Sequence, residues 1–297
     1  GVSLDDLSWT TSLRRSHHPH RVAIVAKSTE ELVGHLAEFA AGEAGADIIA
    51  GRTAAGQLPK LACVFSGQGP QWWAMGRQLL HSEPVFADMI GRCHELFRPL
   101  APWSLWEELT AYESRSRLQD TAIGQPAIFA LQVALAGLWQ SWGLEPDAVV
   151  GHSVGEVAAA YVAGALDLSD AARVIIHRGR CMGLTSDQGR MLAVGLPLAE
   201  SEPILARHGG RVCVAAENAP DMLTLSGDAA ALEEIAKLLE GQGIFCRFLQ
   251  VRYAFHSPQM DPAHDDFVAS LAGIQPRPAT RRMVSTAMLG ICLRGNQ

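Results

Sequence analysis

No two of the six cysteines form a C-x-x-C pair, so the sequence carries neither a zinc-ribbon pattern nor a dithiol motif. Cys63, Cys93, Cys181, Cys213, Cys246 and Cys292 are scattered instead, as expected of reduced thiols buried as small hydrophobes in a cytoplasmic protein. No stretch of about 18 apolar residues is long enough to span a membrane, and no secretory signal pattern opens the sequence. Repeats and low-complexity tracts are also missing. A net charge of −7 leaves no basic footprint and argues against a nucleic-acid partner. What is present is a globular composition, 48% hydrophobic and 19% charged, over 297 residues. GVSLDD begins mid-element and LGICLRGNQ stops without a cap, so the chain reads as a domain excised from something longer.

Residues 1–58 contain LRRSHHPHR, then RVAIVA as a strand and STEELVGHLAEFAAG as a helix opened by Ser28. His17, His18 and His20 have no carboxylate or cysteine at ligand spacing, so they read as a solvated turn and no metal site is expected. AAGQLPK reads as a linker. From residue 59 a new unit begins: LACVFSG as a strand, Gly-Gln-Gly-Pro, and an amphipathic helix through Met75, Leu79 and Leu80. The long apolar helix QPAIFALQVALAGLWQSWG follows, then the short strand AVV. Strands alternating with helices predict a parallel sheet covered by helices. Residues 191–257 spell β-α-β-β-α-β, the ferredoxin-like order. The expected fold is therefore α/β: a large subdomain over 59–190 and 258–297, interrupted by a small one over 191–257.

In VVGHSVGE, Ser153 lies between Gly151 and Gly155, with a strand before it and an alanine-rich helix after it. That is the context a nucleophile elbow requires; the competing reading is a tightly packed turn. A helix N-terminus favours developing negative charge there. The serine needs a base. His152 is adjacent, and neighbours at a turn point apart. His256 in YAFHSP follows the last small-subdomain strand, where the chain returns to the large one; the competing reading is a structural histidine. Arg178 shares a helix face with Val174 and Met182, so its guanidinium is expected to turn inward and clamp a substrate carboxylate; the competing readings are snorkelling and a partner carboxylate. Gln68 follows the first strand of the large subdomain, and its backbone N–H together with that of Val154 suits an oxyanion hole; otherwise Gly67-Gln68-Gly69 is a plain glycine turn.

VFSGQGPQWWAMGRQLL, QPAIFALQVALAGLW, GHSVGEVAAAYVAGALDLSDAARVIIHRGRCM, GRMLAVG, AENAPDMLTLSGD and YAFHSPQMDP together resemble the malonyl-CoA:acyl-carrier-protein transacylase family. The particular resemblance is to the acyltransferase domain of a polyketide synthase, and it covers most of residues 59–262. The first 58 residues resemble the linker from a ketosynthase domain of the same polypeptide. The resemblance implies an α/β-hydrolase-like large subdomain and ping-pong transfer. Ser153 is then the nucleophile and His256 the base; Gln68 and Val154 hold the oxyanion, and Arg178 grips the carboxylate of a malonyl or methylmalonyl group. The donor is a CoA thioester, the acceptor is the phosphopantetheine thiol of an acyl carrier protein, and no cofactor is permanently bound. A backbone carbonyl is implied to orient the histidine, while Asn218 and His152 would support the site. Family members continue well beyond this histidine, so the C-terminal part of the large subdomain is expected to be incomplete. In the family, His-Ala-Phe-His accompanies malonyl and Tyr-Ala-Ser-His accompanies methylmalonyl; Tyr253 and Phe255 here take one element from each, and Val154 leans toward malonyl. A serine hydrolase or thioesterase, and a catalytically inert docking module, are the rival readings.

Overall fold

The computed structural model describes residues 2–43, 45–53, 59–184, 189–251, 253–287 and 290–292. The chain divides into two compact units, residues 1–60 and 61–297. The first contains α1 (Leu4–Leu13), β1 (His20–Ile24), α2 (Thr29–Ala40) and β2 (Ile48–Arg52), with β1 and β2 antiparallel. Ser28 Oγ accepts from Glu31 N at 3.1 Å, the N-cap expected of α2. Helix α1 was not anticipated: Ser3 caps it through Asp6 N, but none of its residues is buried, so it leaves no apolar stripe to read. Most of the AAGQLPK linker lies outside the described residues.

The second unit begins with β3 (Ala62–Phe65). Where one amphipathic helix was expected, the chain turns at 72–76 before a short α3 (Arg77–Ser82). Gly76 enforces the break, with φ of 79° and no room for a side chain, since an added Cβ would lie 2.5 Å from Leu131 Cδ1. Next come α4 (Pro84–Phe97), α5 (Leu105–Thr110), α6 (Thr121–Ser141), β4 (Ala148–Gly151), α7 (Gly155–Val162) and α8 (Leu168–Gly183). Helix α6 is capped by Asp120, and its middle packs Phe129, Ala130 and Val133 against Phe86 and Ile90 of α4 and Ile175 of α8. By length and a mean hydropathy of 1.5 it is apolar enough to cross a membrane, contrary to the expectation from sequence, yet 78% of that window is buried in the protein.

The chain then forms β5 (Gly189–Val194), α9 (Leu198–Ala206), β6 (Val212–Ala219), β7 (Met222–Asp228), α10 (Ala229–Glu240) and β8 (Cys246–Phe248). These strands make an antiparallel sheet ordered β6-β7-β5-β8, the ferredoxin-like arrangement. It has its own core, Leu192, Leu223, Leu225, Leu232, Ile235 and Leu239. The large sheet is completed by β9 (Arg282–Ser285) and β10 (Gly290–Cys292), with α11 (His264–Ser270) preceding them. Its order is β10-β9-β4-β3; β3, β4 and β9 run parallel, and β10 is antiparallel to β9. Phe65, Gly151 and Ser285 pair across it, so the three parallel strands end on one edge.

That edge is closed by contact between backbones. A Cβ on Gly155 would lie 2.2 Å from the Phe65 carbonyl oxygen, and one on Gly151 would lie 2.4 Å from Glu156 N. Gly155→Ala is therefore expected to cost about 1–3 kcal/mol through overpacking. Urea denaturation measures this; an unchanged midpoint would mean that α7 can slide away from β3 without penalty.

Candidate active site

Tight closure at the edge leaves Ser153 in the left-handed region, with φ of 52°. His152 N donates to the Phe65 carbonyl at 2.8 Å, tying the turn to β3. The exposed ring of His152 borders Gly67 and makes no hydrogen bond with the serine. Val154 is 1% exposed and is the first residue of the turn into α7.

His256 lies in the segment that follows β8, held from below by the buried Ala254 and Phe255. It too has a left-handed backbone, with φ of 58°, and its carbonyl accepts from Cys213 Sγ of β6 at 3.5 Å. Its Nε2 meets Ser153 Oγ at 2.8 Å, across 103 residues of sequence. Among the described residues no group accepts from its Nδ1. Burial first, then the positive charge of Arg178 and the neighbouring His152, lower its pKa below the usual 6.5. The imidazole is thus neutral at neutral pH, as a general base requires.

Arg178 reaches the same point from α8. This helix crosses α6 closely at Gly179, where a Cβ would lie 3.1 Å from the Thr121 carbonyl. Arg178 Nη2 donates to Ser153 Oγ at 3.1 Å and Nη1 to Gln125 Oε1 at 2.5 Å. Burial lowers its pKa to about 10, against an opposing pull from Glu156, so it stays charged at neutral pH. Among the described residues no carboxylate lies within salt-bridge distance. Glu156 is already engaged, accepting from Thr286 N at 2.7 Å, Ala287 N at 3.0 Å and Ser285 Oγ at 3.1 Å. A guanidinium beside the nucleophile, without a carboxylate partner among the described residues, is chemically suited to pairing with an anion.

Gln68 joins the cluster through its side chain, which accepts from Gln125 Nε2 at 3.1 Å and donates to Thr121 Oγ1 at 3.4 Å. Among the described residues the backbone N–H groups of Gln68 and Val154 have no intramolecular acceptor, which leaves both able to bind an external oxyanion. Tyr253 stacks on Phe255 at 5.5 Å, and its hydroxyl donates to the Gly183 carbonyl at 3.4 Å. Asn218 is not brought to the serine: it is exposed and donates to Thr224 Oγ1 at 2.9 Å within the β6–β7 hairpin. Sequence reasoning missed Gln125, whose only signal is an amide at the start of an apolar helix, and Glu156. No cluster of three or more metal-ligating side chains occurs among the described residues. The five described cysteines are free thiols.

An α/β-hydrolase-like body carrying an inserted antiparallel unit, with a serine–histidine pair where they meet, defines a class of acyl-transferring domains. Comparison with known proteins makes this specific. Residues 62–291 match the acyl transferase domain family, and residues 1–36 match the family described as CurL-like, PKS C-terminal. The chain belongs to the acyl transferase domains of polyketide synthases. It is 38% identical to polyketide synthase GfsE of Streptomyces halstedii over 96% of its own length, and spans only 8% of that protein. The acyltransferase domain from module 8 of the salinomycin polyketide synthase superposes with a TM-score of 0.89 at 33% identity, covering 98% of this chain and 69% of that one. The malonyl CoA-acyl carrier protein transacylase of Coxiella burnetii gives 0.70 at 28% identity, covering 76% and 72%.

With the His256 pKa depressed, acylation of Ser153 should stay level from above pH 6.5 into the mildly alkaline range and fall only on acidification. A pH profile of single-turnover acylation tests this; a midpoint above 6.5 would contradict a histidine dominated by burial and the Arg178 charge.

Proposed function

We propose that the chain transfers a malonyl or methylmalonyl extender unit from CoA to the phosphopantetheine thiol of an acyl carrier protein. The observation that carries this reading is the charged Arg178 guanidinium, 3.1 Å from Ser153 Oγ and without a carboxylate partner among the described residues. Ser153 Oγ attacks the thioester carbon while His256 Nε2 takes its proton, and the Gln68 and Val154 N–H groups hold the oxyanion. The carbon–sulfur bond breaks, and the proton passes to the departing CoA sulfur. The pantetheine thiol then attacks the acyl-serine, giving its proton to His256 and regenerating the Ser153 hydroxyl. Arg178 holds the free carboxylate throughout. CoA and phosphopantetheine take part as substrates, and no resident cofactor is needed.

In this reading residues 1–58 are the linker from a ketosynthase domain of the same polypeptide. The large subdomain comprises 59–190 and 258–297 and the small one 191–257, except that the small sheet starts two residues earlier, at Gly189, in a cytoplasmic enzyme. Tyr253 and Phe255 line the choice between the two extender units, where one methyl group is worth only ~1–3 kcal/mol. His152 borders the loop at Gly67 and helps keep the His256 imidazole neutral. A hydrolase would use the same serine and histidine, but it has no use for a guanidinium at the nucleophile.

Intact-mass measurement after separate incubation with malonyl-CoA and methylmalonyl-CoA is expected to show a covalent adduct that Ser153→Ala abolishes. An adduct that persists on that variant would remove the serine from the mechanism. Arg178→Ala should lower malonyl loading by about 100-fold while sparing an uncharged acyl donor. Unchanged malonyl loading would exclude the carboxylate role.

A further inference from the structure

Arginine donates hydrogen bonds and accepts none, and this fixes the orientation of every amide between Arg178 and Thr121. Gln125 must present Oε1 to Arg178 Nη1, 2.5 Å away. Its Nε2 is thereby turned toward Gln68, which must accept through Oε1 at 3.1 Å. Gln68 is left with Nε2 directed at Thr121 Oγ1, at 3.4 Å. Gln125 and Thr121 are each 1% exposed, so water has little access to replace a missing partner. Gln125 itself makes no hydrogen bond to Ser153 or His256 among the described residues. It has one neighbour that faces the nucleophile and another on the loop bearing an open backbone donor.

We propose that Gln125 is the positioning residue that couples carboxylate recognition to the oxyanion loop; this rests on the acyl-transfer reading above. Its carbonyl oxygen fixes the plane of the Arg178 guanidinium, so that Nη2 points at Ser153 while the remaining N–H groups face the donor. Its amide nitrogen holds the side chain of Gln68, and so the direction of that residue's backbone N–H. A carboxylated acyl group seated on Arg178 is thus registered against the same fixed amide that sets the oxyanion donor. An acyl group without a carboxylate uses only the second half of this arrangement.

Two substitutions separate the two ends of the amide. Gln125→Met removes the hydrogen bonds to Arg178 and Gln68, together with the weak one from Nε2 to Met182 Sδ at 3.8 Å, at nearly the same size. It should raise the KM for malonyl-CoA about tenfold and leave that for acetyl-CoA within about twofold, while slowing acylation of Ser153 by both donors. Gln125→Glu keeps the acceptor for Arg178 but supplies a competing internal carboxylate, so malonyl loading should fall about 100-fold and acetyl loading far less. Protection of Ser153 by free malonate against an uncharged fluorophosphonate gives a readout independent of CoA, and both variants should weaken it. Thermal unfolding confirms that each is folded. Equal losses for both donors with unchanged KM, or malonate protection matching the parent, would overturn the coupling while leaving acyl transfer intact. A parent that neither loads malonyl nor is protected by malonate would instead overturn the acyl-transfer reading, and this inference with it.

Discussion

The approach of α7 to the ends of β3 and β4 is the constraint on which the rest of the site depends. Backbone meets backbone there, with the Phe65 carbonyl against the Cα of Gly155 and the start of α7 against Gly151, and no side chain fits between them. The turn that remains is too short to be relaxed, so Ser153 takes a left-handed conformation and its hydroxyl stands clear of both elements. The same closeness leaves the Val154 N–H beside it without an internal acceptor. Strain at one residue and an unsatisfied donor at the next are two results of a single packing decision made by two glycines.

Electrostatics at this point is arranged around one part-buried cation. Arg178 is carried in by α8 at the close crossing near Gly179, and burial weakens its charge without removing it. Glu156 supports it from a distance while its carboxylate ties α7 to the turn after β9 through Thr286 and Ala287. A direct ion pair would neutralise the guanidinium; a carboxylate held elsewhere stabilises the charge and leaves its face open. The same charge depresses the basicity of His256, so one arginine influences both members of the serine–histidine pair.

The architecture was legible where periodicity was strong. The β-α-β-β-α-β run could be read because α10 shows an apolar stripe through Leu232, Ile235 and Leu239 and the strands are separated by polar turns, and the elbow because its glycines carry a steric meaning. Helix α1 left no such trace, since nothing in it is buried, and the break before α3 depended on a left-handed Gly76 that only the packing of Leu131 makes necessary. At the site, Ser153 announced itself, whereas His256 and Arg178 were candidates among several, because a partner 103 residues away has no spacing to read. Gln125 was invisible for a related reason: an amide in an apolar helix is remarkable only once its neighbours across the fold are known. Asn218, offered as support for the site, is occupied within its own hairpin.

The serine rests on the core of the parallel sheet, and the histidine follows the last strand of an antiparallel sheet with a separate core. The 2.8 Å bond between them is therefore a joint as well as a reactive contact. A lateral slip of about 1 Å between the two bodies would misalign the proton transfer enough to cost on the order of 100-fold in rate, with every residue still present and folded. Catalytic competence in such a molecule is a property of alignment between two cores.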